Sequence, residues 1–164
     1  MSQKIIKPGE RYQKKIIIQT RKGTPISNVQ EFNLPPYYLH LVEEYNKRYS
    51  EPFVTFVNNA SPIYNCHGLT FGSRRSMIWD SQEIAKIIKE DDYAMVDNMN
   101  DVREGDVIVY YGDDGDAEHS GLVIGKISRF PLILSKWGSG REAVHMFSQC
   151  PYKIDNVKFF RTSK

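Results

Sequence analysis

Glu104-Gly105-Asp106-Val107-Ile108-Val109-Tyr110-Tyr111, followed after a short loop by His119-Ser120-Gly121-Leu122-Val123-Ile124-Gly125, is the stretch that decides the fold. A Gly-Asp turn leads into an apolar run of strand length, and a second such run opens on a histidine. Between them, 112–118 is acidic and contains two glycines. Downstream, Leu132–Trp137 reads as a third strand and Gly138-Ser139-Gly140 as a hairpin turn. Ala143–Phe147 pairs back as a fourth strand, and Val157–Arg161 makes a fifth.

Upstream the periodicity changes. Leu34-Pro35-Pro36 is a stiff extended entry, after which Tyr38, Leu41, Val42 and Tyr45 fall at helical spacing over Tyr37–Tyr49. Glu51-Pro52 closes that helix, and Phe53–Val57 is a short apolar run. From Cys66 to about Met77 the apolar positions permit a buried helix, weakened by Gly68 and Gly72. Asp80-Ser81 caps a clearer one, with Ile84, Ile87 and Ile88 on one face and Asp91-Asp92 at its end. At the N-terminus a strand is expected over Lys15–Thr20, broken by Gly23-Thr24-Pro25. Helices first and a meander of about five antiparallel strands afterwards make an α+β plan. A basic arm and helix (1–58) pack on a core of 59–164, in one domain overall.

With 164 residues, 40% apolar and 26% charged, the chain is long enough for one real core. A net charge of +2 gives no argument for nucleic acid. Charge is nonetheless segregated: 1–22 carry seven Lys or Arg and one acid, and 90–118 carry eleven acids and one Arg. No run approaches the roughly 20 apolar residues of a membrane span, and Met1–Arg11 lacks a signal-peptide core. A cytoplasmic protein is expected, with signal-less export as an effector the alternative. Cys66 and Cys150 make no disulfide framework, and no zinc spacing occurs, so neither metal nor cofactor is expected.

Cys66 stands before Gly68 at an expected helix start. There, unpaired backbone N–H groups favour a thiolate and can hold an oxyanion. His119 opens a strand after a loop, where its ring can face a cleft and accept the thiol proton. Ser120 and Gly121 are small enough to admit the Cys66 helix, and Gly68 lets a substrate or strand come close. Cys150, between Gln149 and Pro151, reads as structural. His67 points away from Cys66 and lines a rim or packs, His40 lies on a helix surface, and His145 competes for a place in the cleft.

Asn65-Cys66-His67-Gly68-Leu69, the Gly105-Asp106 strand and the His119 strand together resemble the NlpC/P60 and CHAP group of papain-like cysteine peptidases and amidases. The resemblance covers about 60–140. It implies a papain-like fold with the nucleophile's helix packed on an antiparallel sheet, Cys66 as nucleophile and His119 as base. That family places an orienting polar residue on the strand after the histidine. Here the position falls on Ser135, which strand alternation puts on the same face as Trp137, with Lys136 on the other.

The chemistry so implied is hydrolysis of an amide bond in a protein or peptidoglycan peptide. Acyl transfer, deamidation or non-catalytic protein binding are the alternatives on the same fold. The expected partner is a protein or peptide substrate, with neither nucleic acid nor membrane. The acidic loop Asp113, Asp114, Asp116 and Glu118 would favour a basic substrate group and raise the proton affinity of His119.

Overall fold

A computed structural model describes residues 13–163 of the chain. The elements are β1 (Gln13–Lys14), β2 (Gln30–Glu31), α1 (Pro36–Arg48), β3 (Val54–Val57), α2 (Cys66–Gly72), α3 (Ser81–Glu90), β4 (Tyr93–Val96), β5 (Val107–Tyr111), β6 (Ala117–Ile127), β7 (Phe130–Lys136), β8 (Glu142–Met146) and β9 (Val157–Thr162). A 3-10 turn at Met99–Asp101 separates β4 from β5. The architecture is α+β.

Seven strands form one sheet in the order β3-β8-β7-β6-β5-β9-β4, and β1 pairs with β2 apart from it. Every pairing is antiparallel. The consecutive hairpins from β5 to β8 are the expected meander, and β9 returns to pair with β5. The sheet exceeds the expected five strands by one at each edge. β3 pairs Val54 with His145, and β4 pairs Tyr93 with Thr162. Both are four residues long, and at β4 Ala94 and Met95 are exposed, so neither carries a clear alternating pattern. The strand expected over Lys15–Thr20 is replaced by irregular chain. There Ile26 N–H donates to Ile18 O at 2.8 Å, and Ile18 is buried while Ile17 is 83% exposed. The first twelve residues of the expected basic arm lie outside the described residues.

Strand alternation sorts the core into two faces. Ile108 and Tyr110 share one cluster with Val123, Ile133, Trp137, Ala143 and Phe159. Val107 and Val109 share the other with Phe160, Ile78 and Ile84 and Ile87 of α3. α1 covers the first face without burying any residue fully. Tyr45 and Tyr49 set their rings edge-on to Trp137, with centroids 5.3 and 4.9 Å away. α2 and α3 lie on the second face.

The Gly-Asp turn has a structural role. Gly105 takes φ +92°, a conformation that disfavours a side chain. Asp106, almost fully buried, accepts two hydrogen bonds from the Arg161 guanidinium at 2.6 and 2.8 Å and one from Arg103 N–H at 2.9 Å. This fork fastens the start of β5 to β9.

α2 is shorter than the pattern to Met77 suggests. It stops at Gly72 because Ser73 and Arg74 turn left-handed, at φ 52° and 61°. The chain doubles back so that Met77 N–H donates to Val29 O at 2.8 Å, and Val29 N–H returns the bond at 3.0 Å. The need for glycine at 68 comes from this return, a close approach of neighbouring chain: a Cβ there would land on the Ser76 carbonyl oxygen. Gly121, read as room for α2, instead makes room for the Ile133 side chain, 2.6 Å from where its Cβ would stand. Gly68→Ala is expected to destabilise the protein by about 2–3 kcal/mol, since backbone must move to admit the methyl. Urea denaturation of wild type and variant side by side measures it.

Candidate active site

Asn65 sets the start of α2. Its Oδ1 accepts from Gly68 N–H at 2.9 Å and from Ile78 N–H at 3.1 Å, while its Nδ2 donates to Ile78 O at 2.8 Å. One buried side chain therefore caps the helix and ties it to the segment before α3. Cys66 follows and borders a cleft of about 310 Å³, whose walls include Trp79, Ala117, Glu118, Gly138 and Tyr152.

His67 joins α2 to β6. Its Nε2 lies 3.0 Å from Ala117 O and its Nδ1 2.7 Å from Ser120 Oγ. A carbonyl can only accept, so Nε2 carries the proton and Nδ1 accepts from the serine hydroxyl. A β-bulge makes this possible. Tyr111 pairs with Ala117 but Tyr110 pairs with His119, so Glu118 is skipped and Ala117 and Ser120 both face α2. His119, between them, turns its ring to the other face.

His119 is completely buried, and neither ring nitrogen has a hydrogen-bond partner. It is therefore not hydrogen-bonded to Cys66 in this structure. Its ring stacks on Tyr152, with centroids 3.7 Å apart and planes at 5°, and Tyr110 stands tilted at 5.2 Å. Because Tyr152 also lines the cleft, the imidazole lies one ring behind the wall that Cys66 borders.

Ser135 does not orient His119. Its hydroxyl belongs to a separate chain in which Trp137 Nε1–H donates to Ser135 Oγ at 3.1 Å and Ser135 Oγ–H donates to His145 Nε2 at 2.7 Å. His145 Nδ1–H donates to Met146 O at 2.7 Å, so both of its nitrogens are spent and it does not contact His119 through either. His40 is exposed on α1. Cys150 is a buried thiol among core residues, and both cysteines are free.

Two charged side chains that the sequence did not single out as site residues frame the site. Lys136 is fully buried, and its ammonium donates to Gly140 O at 2.6 Å and Gly138 O at 3.1 Å and lies 4.9 Å from the Tyr64 ring centre. Glu142, opposite it in register, accepts from Arg74 at 2.7 and 3.1 Å, from Tyr64 Oη–H at 2.5 Å and from Asn58 at 3.0 Å. Together they brace the 58–64 loop before Cys66 and the 138–140 turn beside it. Alternation alone had placed Lys136 opposite Ser135, and only the covering α2 and Tyr64 make that position interior.

Electrostatics favour an uncharged pair at rest. Burial pushes the Cys66 thiol up to about 11, against the pull of the Ser120, His67 and Cys66 backbone amides and of Lys136. This overturns the expected lowering at a helix start, because α2 is only seven residues long and desolvation outweighs its field. Burial, with His145 and His67 nearby, drives His119 well below the ordinary histidine value. The acidic loop does not raise it: Asp113 pairs with Lys153 at 2.6 Å, and of the four carboxylates only Glu118 lines the cleft. Lys136 falls to about 8 through burial. Among the described residues no cluster of His, Cys, Asp or Glu is arranged to hold a metal ion.

Two measurements follow from these values. Iodoacetamide should label Cys66 faster than Cys150, because only Cys66 borders the cleft. Its rate should have a low neutral-pH level that depends on His119 and climb toward pH 11, with no plateau of a preformed thiolate. Burial lowers His67 and His145 to about 4, below the unfolded 6.5 or so. The unfolded chain therefore takes up protons first as pH falls. Stability is full above about pH 6.5 and is lost toward pH 4, by about 1.4 kcal/mol per pH unit for each histidine. Urea midpoints between pH 7 and 4 check the sign. Comparison of the chain with protein-family models, curated proteins and solved structures finds no match.

Proposed function

We propose that this protein is a cysteine hydrolase of papain-like design, akin to the NlpC/P60 and CHAP enzymes, acting on an amide bond of a protein or peptidoglycan peptide. The observation that carries the reading is the cleft. A thiol on its wall stands at the start of α2, where the Ser120, His67 and Cys66 backbone amides favour its ionised form against burial, and an imidazole with two uncommitted nitrogens lies one ring behind it. His67 and His145 have spent both nitrogens on neighbours, whereas a general base needs a free one.

In this mechanism Cys66 and His119, which do not touch at rest, come within hydrogen-bond reach when substrate seats in the cleft, and the sulfur bonds to the carbonyl carbon as the thiol proton passes to His119. The backbone amides around the sulfur stabilise the oxyanion. His119 then gives its proton to the leaving nitrogen as the C–N bond breaks. Water attacks the thioester, one of its protons goes to His119 and then to the departing sulfur, and the acid is released. Because thiol and imidazole start neutral, charge develops only during attack. Among the described residues no helix is long and apolar enough to cross a membrane. The substrates we propose are met in the cytoplasm or after delivery as an effector.

One feature favours a second reading, a non-catalytic protein-binding module: no hydrogen bond joins Cys66 to His119. Mass spectrometry of protein and peptidoglycan substrates with wild type and Cys66→Ala separates the two. Hydrolysis products are expected with wild type and absent with the folded variant. Undiminished cleavage by Cys66→Ala would sink the assignment.

A further inference from the structure

The imidazole of His119 lacks the edge-on polar partner that normally fixes such a ring, since Ser135 and His145 are bonded to each other. A buried ring free at both edges would rotate unless something held its plane. The loop between β8 and β9 supplies that hold. Tyr152 lies flat against His119 at 3.7 Å and 5°, the closest and most parallel ring pair among the described residues. Tyr110 of β5 supports the imidazole from a tilted position at 5.2 Å, and its own hydroxyl donates to Phe147 O at 2.7 Å. We propose that the face of Tyr152 is the positioning element of His119, replacing an edge hydrogen bond with a stacked ring that leaves both nitrogens free for proton transfer.

The arrangement has a chemical logic. A stacked ring fixes the imidazole plane through the face and removes no lone pair. When His119 takes a proton, the same aromatic face attracts the cation. The other titratable groups around His119 offer no such help. Tyr110 and Tyr152 are phenols held neutral by burial, and His145 from β8 and His67 from α2, lowered to about 4 by burial, are neutral at pH 7 and supply no negative charge to hold a cation. Cys66 supplies the proton itself. Tyr152 also forms part of the cleft wall, so a substrate seated there would press on the ring that sets the base.

The inference rests on Cys66 and His119 being the reacting pair, and its test keeps the two ideas apart. Iodoacetamide labelling of Cys66 is followed from pH 7 to 10 in wild type, Tyr152→Phe, Tyr152→Leu, His119→Ala and the double variant Tyr152→Leu/His119→Ala. The His119 ring proton is observed by NMR in the first three. Tyr152→Phe keeps the ring and should match wild type in rate, within twofold, and in ring-current shift. Tyr152→Leu should lose the shift and label about tenfold more slowly at pH 7.5. It should converge with wild type near pH 10, where hydroxide removes the thiol proton. On the His119→Ala background it should add nothing. Slower labelling of Tyr152→Leu at every pH, a Tyr152→Phe as slow as the leucine variant, or an equal loss without His119 would each overturn the positioning role. An unaltered rate in His119→Ala would instead remove the base assignment, while the NMR shift would still report whether the stack exists.

Discussion

The two hydrogen bonds of His67 hold the site in register. They grip β6 at Ala117 O and Ser120 Oγ, on either side of His119, and so lock the first turn of α2 to the strand that carries the imidazole. The grip exists because Glu118 is bulged out of the ladder, which brings residues three apart onto one face. Without the bulge, Ala117 would share the face of His119, and His67 could not reach both partners. The position of Cys66 on the cleft wall follows from this clamp, from the Asn65 cap and from the close return of Ser76 over Gly68.

Around the clamp the interior is unusually polar, and nearly all of it is satisfied. Glu142 has four hydrogen bonds from three side chains. Burial works against its ionisation, but the bonds from Arg74, Tyr64 and Asn58 prevail and hold its carboxyl below the usual range. Lys136 is held by two carbonyls. Such groups stabilise little in net terms, since desolvation offsets attraction, but removing one partner strands the other. They fix where loops lie. Against this background the bare nitrogens of His119 stand out, because a buried polar group left without a hydrogen bond costs free energy and is rare in native interiors.

The resting state is correspondingly quiet. A thiol raised to about 11 is mostly un-ionised at neutral pH and reacts far more slowly with electrophiles than a thiolate. In the proposed mechanism charge develops only as a bound carbonyl is attacked, when the amides at the start of α2 would stabilise the oxyanion and the imidazolium would form.

Much was legible in the residues. The 2.0-residue alternation and turn chemistry marked the strands from β5 to β9, and Asp80-Ser81 marked α3 within a residue. Proline and helical spacing marked α1. Edge strands β3 and β4 were harder to see, because four residues are too few to carry a pattern and are defined by their neighbours. The residues also marked Cys66 and His119 as chemical candidates and Cys150 as packing. They could not say which of the four histidines would be left free. That depends on partners 53 residues away for His67 and ten for His145. Alternation assigns a side chain to a face, but it does not say whether that face meets water, a helix or a tyrosine ring. Tertiary packing decided that Lys136 is interior, that Ser135 serves His145, and that Tyr152 stacks on His119. Burial and hydrogen-bond saturation depend on the whole enclosure, which forms only when segments distant in the chain close around the group.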